Sequence, residues 1–175
     1  MAEMEERRGG TGEMLDVLDE NRNKTGRLYE RGTPMQDSGF VLLVQAWLRN
    51  SQGSFLLTQR HPDKVYFPLM WETTEGMTKA GETGLEAIVR EVEEELGIRV
   101  NPDNGRIVKT GRRDSHRYFY DVYLFDVETP ASELRFQDGE VAQACWLTPD
   151  EIRQLDKEKK LVPMIEYYEE LLQMK

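Results

Sequence analysis

Residues 40–48 constrain this chain more than any other stretch. They read FVLLVQAWL, almost without a polar break and rich in β-branched and aromatic side chains. A strand with one wet face alternates apolar and polar residues, so a run of this kind belongs to a strand covered on both faces. It is therefore expected at the centre of a sheet, with a layer packed on each side. The rest of the chain supplies both sheet and layers. Short apolar runs at 14–18 and 26–29 flank turn-forming residues 19–23 and predict a hairpin. Gly32, Thr33 and Pro34 then break regular structure. A second strand is expected at 54–60 after the turn at 50–53, and a short strand follows Trp71. Beyond a long helix come strands at 106–110, 117–127 and 141–147. Thr148 with Glu151 makes a capping box, with Pro149 at the first helical position. It opens a helix, and a further helix is expected over 161–174. Strands and helices mixed in this order predict an α/β fold, an α/β/α sandwich with a mixed sheet.

The long helix lies in residues 76–98, GMTKAGETGLEAIVREVEEELGI. Thr83 and Glu86 form a capping box, so the helix is expected to begin at Thr83 and to stop at Gly97. Leu85, Ile88, Val89, Val92 and Leu96 give it an apolar stripe for the core. Glu91, Glu94 and Glu95 are spaced i, i+3 and i+4, which brings three carboxylates out on one side. Each like-charge pair costs a helix about 0.2–0.5 kcal/mol. The cluster also falls in the last turns, where the helix dipole is already negative. A divalent cation with oxygen ligands offsets that repulsion; the plain alternative is a solvated acidic face.

The residues around the three glutamates decide between these. Gly76, five residues, Glu82, seven residues, Arg90-Glu91-Val92, any residue, Glu94-Glu95, any residue and Gly97-Ile98 fill every fixed position of the Nudix box, and the chain resembles the Nudix hydrolase family. The resemblance implies a Nudix-type α/β/α sandwich and hydrolysis of a diphosphate linked to another moiety, usually in a nucleoside diphosphate derivative, with Mg²⁺ or Mn²⁺. It implies Glu91, Glu94 and Glu95 as metal ligands, with Glu91 and Glu94 also candidates for catalysis. Glu82 and Arg90 would hold loop and helix together, with Gly76 and Gly97 as structural glycines. Many relatives carry two glycines where this chain has Glu75-Gly76. Glu75 is thus a candidate ligand through its backbone carbonyl or its side chain. Related enzymes sometimes take a further glutamate from a late loop, and Glu140, aimed by the flexible Gly139, is the candidate ligand or general base. Arg60 and Arg117 are the favoured phosphate contacts for their bidentate geometry and expected strand-end placement.

The N-terminal hairpin resembles the isopentenyl diphosphate isomerase branch of the same superfamily. An isomerase-like enzyme is therefore one alternative, and a non-catalytic diphosphate-binding module is another. Type I isomerases place a catalytic cysteine and a metal-binding histidine just before the box helix; here residues 71–76 are WETTEG, with neither. Binding modules commonly lose box glutamates or the arginine, which this chain keeps. With 175 residues and a net charge of −10, the expectation is a disordered tail over 1–12 and one hydrolase domain over 13–175. The acidic balance argues against nucleic-acid polymers and anionic membranes as partners and leaves a small diphosphate brought in by metal. A homodimer stays open. Cys145 is the only cysteine, so no disulfide joins the chain to itself. No apolar run is long enough for a membrane span, and the N-terminus lacks a signal-peptide core, so the expected location is the cytoplasm.

Overall fold

A computed structural model describes residues 11–35 and 38–174. Strand β1 (Met14–Leu18) pairs antiparallel with β2 (Lys24–Glu30) as a separate two-stranded sheet. The expected tail falls mostly on residues 1–10, outside the described residues. Its last two positions are tied down, with the Thr11 N–H on the Arg31 carbonyl at 3.0 Å and the Gly12 N–H on the Glu30 carboxylate at 3.0 Å.

The main sheet is built on β3 (Val41–Arg49), the run that opens the sequence argument, and it is central as expected. The other strands of the sheet are β4 (Phe55–Arg60), β5 (Trp71–Glu72), β6 (Thr74–Met77), β7 (Arg106–Arg113), β8 (Tyr118–Asp126) and β9 (Val141–Leu147). The order is β5-β4-β3-β8-β7, with β6 also on β3 and β9 also on β4. Only β3 and β8 run parallel; the other pairs are antiparallel, so the sheet is mixed. β3 meets β4 only at Leu48 and Arg49, while its middle, Leu43 to Ala46, pairs with β6. The sheet therefore forks, and β6 occupies the fork.

One face of the sheet carries Val44, Ala46, Leu48, Tyr123 and Phe125 against helix α1 (Gly84–Leu96). The other carries Trp47, Val122 and Leu124 against α2 (Pro149–Lys157), α3 (Tyr168–Leu172) and the segment between them. This is the expected three-layer arrangement. Both capping boxes form: Thr83 and Thr148 each exchange bonds with the glutamate three residues on, and Gly97 ends α1 in the left-handed region at φ 69°.

Three expectations need correction. Residues 161–174 do not make one helix. Pro163 opens a 3₁₀ turn (Pro163–Ile165), and only Tyr168–Leu172 are α-helical, because proline tolerates the first turn of a helix but not its interior. Arg117 is not a strand residue: it follows the turn Asp114–His116 in the left-handed region, at φ 53°. The buried row of α1 is Ala87, Ile88, Val92 and Leu96, with Leu85 and Val89 only half-buried.

Two contacts join the outlying parts to the sheet. Arg22, at φ 68° in the β1–β2 turn, pairs with the buried Asp121 of β8 and lies 5.7 Å over the Phe119 ring. The same hairpin holds the loop before α1, with the Ala80 N–H on the Met14 carbonyl at 2.7 Å and the Gly81 N–H on Asp16 at 2.9 Å. At the β5 edge, Trp71 donates to Lys160 (2.7 Å) and accepts from Val162 (2.9 Å), so the C-terminal segment continues the backbone ladder.

Candidate active site

The tilt of α1 determines which glutamates face inward. Side chains at i, i+4 and i+8 form one row along a helix. Ala87 is fully buried, so Glu91 and Glu95, next in its row, are carried toward the sheet. Glu94 belongs to the Arg90 row and stays exposed. The spacing that groups the three glutamates in sequence therefore splits them in space: two enter the fork and one stands at its rim.

Gly76 makes room for the first of them. It lies opposite Val44 on β3, and a Cβ there would fall 2.1 Å from the Glu91 carboxylate. No residue but glycine lets that carboxylate lie against the β6 backbone. Arg90 fastens helix to loop, donating to both oxygens of Glu82 (2.8 and 3.0 Å), to Glu91 (2.7 Å), to Glu94 (3.1 Å) and to the Met77 carbonyl (3.2 Å). These bonds hold the Glu82 carboxyl below its ordinary range, the hydrogen bond from Arg90 being the main cause.

Glu95 is the centre of the site. Burial drives its carboxyl well above the usual carboxylate range, and the charges of Glu72, Glu91, Glu75 and Glu140 push the same way. Glu91 is raised too, chiefly by burial, against the pull of Arg90. Glu72 is pushed up to about 8, by burial first and then by Glu75, although Arg60 opposes both. Four parts of the chain thus add negative charge to the same region: Glu72 from β5, Glu75 from β6, Glu91 and Glu95 from α1, and Glu140 from the turn before β9.

The structure brings most of the expected residues together. Glu75 lies close enough to add its charge to that around Glu95, and its side chain, on the Gln45 face of the sheet, accepts from Gln45 at 2.9 Å. Glu140 also arrives there, paired with Lys64. Arg60 borders the cluster, but its guanidinium is committed to both oxygens of Glu72 (2.7 and 2.6 Å) and to the Tyr66 carbonyl (2.9 Å). Arg117 lies elsewhere, exposed at the start of β8, with its carbonyl on the Val41 N–H at 3.1 Å. Lys79 reaches Glu94 at 3.9 Å.

Glu72 and Lys64 are the participants that sequence reasoning undervalues. Lys64 is one of several cations near the cleft, and nothing local marks Glu72. The register of β4 with β5, Thr58 opposite Glu72, is what brings Glu72 to Arg60. The donor set suits a hard divalent cation: oxygen only, strongly negative, and built on a glycine whose missing side chain leaves the space open. No three acidic, histidine or cysteine side chains among the described residues are gathered at ligating distance. Arg90, Arg60 and Lys64 each draw a carboxylate away from the others.

Residues 39–168 match the NUDIX domain. The chain belongs to the Nudix family. It is 30% identical over 155 residues to an uncharacterized Nudix hydrolase of Listeria monocytogenes, covering 86% of this chain and 89% of that protein. The crystal structure of DR0079 from Deinococcus radiodurans superposes with a TM-score of 0.70 at 26% identity, covering 86% of this chain and 92% of that one. An isopentenyl-diphosphate Δ-isomerase of Citrobacter koseri is 34% identical over 91 residues, about half of each chain (51% and 50%), in keeping with the branch suggested by the N-terminal hairpin. The protein is a Nudix hydrolase with the full box in place. No helix among its described residues is long and apolar enough to cross a membrane.

Proposed function

We propose that this Nudix hydrolase cleaves the diphosphate linkage of a nucleoside diphosphate derivative or a similar small diphosphate. Mg²⁺ or Mn²⁺ would be held by Glu91, Glu94, Glu95 and Glu75. The hydrolase unit proposed spans residues 13–175. The observation that carries the reading is the gathering of the charges of Glu72, Glu75, Glu91 and Glu140 around the half-buried Glu95. An isolated chain gains nothing from crowding carboxylates, whereas a site for a divalent cation and a phosphorylated ligand requires it. When bound, the cation offsets the charge of the diphosphate and polarises its oxygens.

The chain's own residues supply the rest. Arg90 fixes the loop to the helix so that Glu91 and Gly76 keep their relation. Arg60 is the cation best placed to meet phosphate, exchanging Glu72 for a ligand oxygen; Arg117 has no part in this reading. Glu140 acts as a further ligand or as general base. It leaves Lys64 to do so, and a carboxylate not bound to metal is the stronger proton acceptor. Glu140→Gln separates the two roles: lost turnover with metal affinity intact marks a base, and loss of both marks a ligand. No change in either removes Glu140 from the site.

A panel of nucleotide sugars, dinucleotides, oxidised nucleoside triphosphates and isopentenyl diphosphate tests the reading. The expected result is metal-dependent hydrolysis of at least one nucleoside diphosphate derivative, scored as released phosphate or nucleotide product. Isopentenyl diphosphate should give no dimethylallyl product and no solvent deuterium exchange, because residues 71–76 offer Glu75 but no cysteine. Isomerised product above a no-enzyme control would favour the isomerase reading. Metal binding with no turnover of any member would favour the binding module.

A further inference from the structure

Gln45 is the one polar residue in the apolar interior of β3, and it is 2% exposed. A buried amide is costly unless both its carbonyl and its NH₂ are hydrogen-bonded. Register explains one partner. Gln45 lies directly opposite Glu75 in the antiparallel β3–β6 pair, so their side chains share a face, and its Nε2 donates to Glu75 Oε2 at 2.9 Å. The other partner comes from far along the chain: the Tyr167 hydroxyl donates to Gln45 Oε1.

The direction of this relay is fixed by its far end. Trp47, two residues along the same face of β3, donates its indole N–H to the Tyr167 oxygen at 3.3 Å. Indole nitrogen is only a donor, so the single hydroxyl proton of Tyr167 is left for Gln45. The Gln45 carbonyl must then face Tyr167, and its NH₂ must face Glu75. Burial holds the Tyr167 hydroxyl above its ordinary range, so it remains a donor. Its ring is held as well, stacked on Tyr120 with centroids 6.3 Å apart and planes 11° from parallel. Without the hydroxyl, the buried Gln45 carbonyl loses its partner, and the amide is held from one end only, by its bond to Glu75.

We propose that Gln45 and Tyr167 are positioning residues that hold the Glu75 carboxylate at the edge of the acidic cluster, so that the C-terminal segment sets the site's affinity for its divalent cation. This rests on the reading of Glu75 as part of the metal site. Tyr167→Phe removes the hydroxyl and keeps the ring, and the test is Mn²⁺ binding to the full chain, followed by the paramagnetic signal of free Mn²⁺. Wild type, Tyr167→Phe, Glu75→Gln and the double variant are compared, with thermal melts to verify folding. Tyr167→Phe should weaken Mn²⁺ binding roughly tenfold, as loss of an outer hydrogen bond to a ligand does. In the Glu75→Gln background it should change affinity little. Gln45→Leu should behave as Tyr167→Phe does, which guards against a packing defect at position 167. An equal effect of Tyr167→Phe in both backgrounds overturns the proposal, as does no effect where Glu75→Gln alone weakens binding. If Glu75→Gln leaves affinity intact while Glu95→Gln abolishes it, the positioning role falls and the metal site stands. If wild type binds no Mn²⁺, both fall.

Discussion

Glu95→Gln is expected to cut turnover by about a hundredfold or more while leaving the protein at least as stable as before. The two effects have one cause. Glu95 is half-buried with the charges of Glu72, Glu75, Glu91 and Glu140 around it, and its own charge is tolerated in the free protein only at a cost. Glutamine keeps the shape and removes one negative charge from the cluster, so repulsion falls and the melting temperature in chelator holds or rises. Turnover falls because the same charge is needed to hold the cation. Active sites commonly sacrifice stability for function in this way. Glu94→Gln is the contrasting case. Glu94 is exposed and paired with Arg90, so its loss should affect metal affinity without a gain in stability. Wild-type turnover of both variants at limiting Mg²⁺ would place the metal elsewhere.

The largest loss of stability is expected where the N-terminal hairpin meets β8, from Arg22→Met. Asp121 is 3% exposed on β8, and its Oδ2 is paired with Arg22 while its buried Oδ1 has no hydrogen-bond partner among the described residues. Removing the arginine leaves a buried carboxylate without its counter-charge, a change that costs several kcal/mol in buried pairs. The Arg22 side chain is about one-third exposed, so the expected cost is at the low end, about 3 kcal/mol. Urea unfolding measures it. The double variant Arg22→Met with Asp121→Leu should recover most of the loss, because the penalty comes from the orphaned charge. A single variant within about 0.5 kcal/mol of wild type, the usual range for surface substitutions, would mean that the pair contributes nothing.

The fold was legible where its signals are local. Thr83, Gly97, Thr148 and Pro149 mark helix ends through bonds made within a few residues, and the unbroken run through β3 follows from burial on both faces. The C-terminal segment misled because Leu161, Val162, Ile165, Tyr168 and Leu171 have a spacing that suits a helix, while tertiary contacts with the sheet and Pro163 dictate otherwise. The site divides in the same way. The spacing of Glu91, Glu94 and Glu95 was plain, but the separation of Glu94 from the other two depends on how α1 rolls on the sheet. Glu72 was missed because its place depends on strand register. The role of Arg60 could not be read from its type: a phosphate contact was the expectation, and the partner it has is Glu72, held through one terminal nitrogen.

The join between Trp71 and residues 160–162 has a bearing on self-association. β5 is short and shares one side of β4 with β3, while β9 covers the other side, and a bare strand edge is a template for another chain. Here the backbone of Lys160 and Val162 occupies it. A copy of the protein that lost this segment would leave the N–H and carbonyl of the buried Trp71 without their partners and open the fork between β4 and β6. Its first symptom would be aggregation in the test tube, appearing before any kinetic defect could be measured.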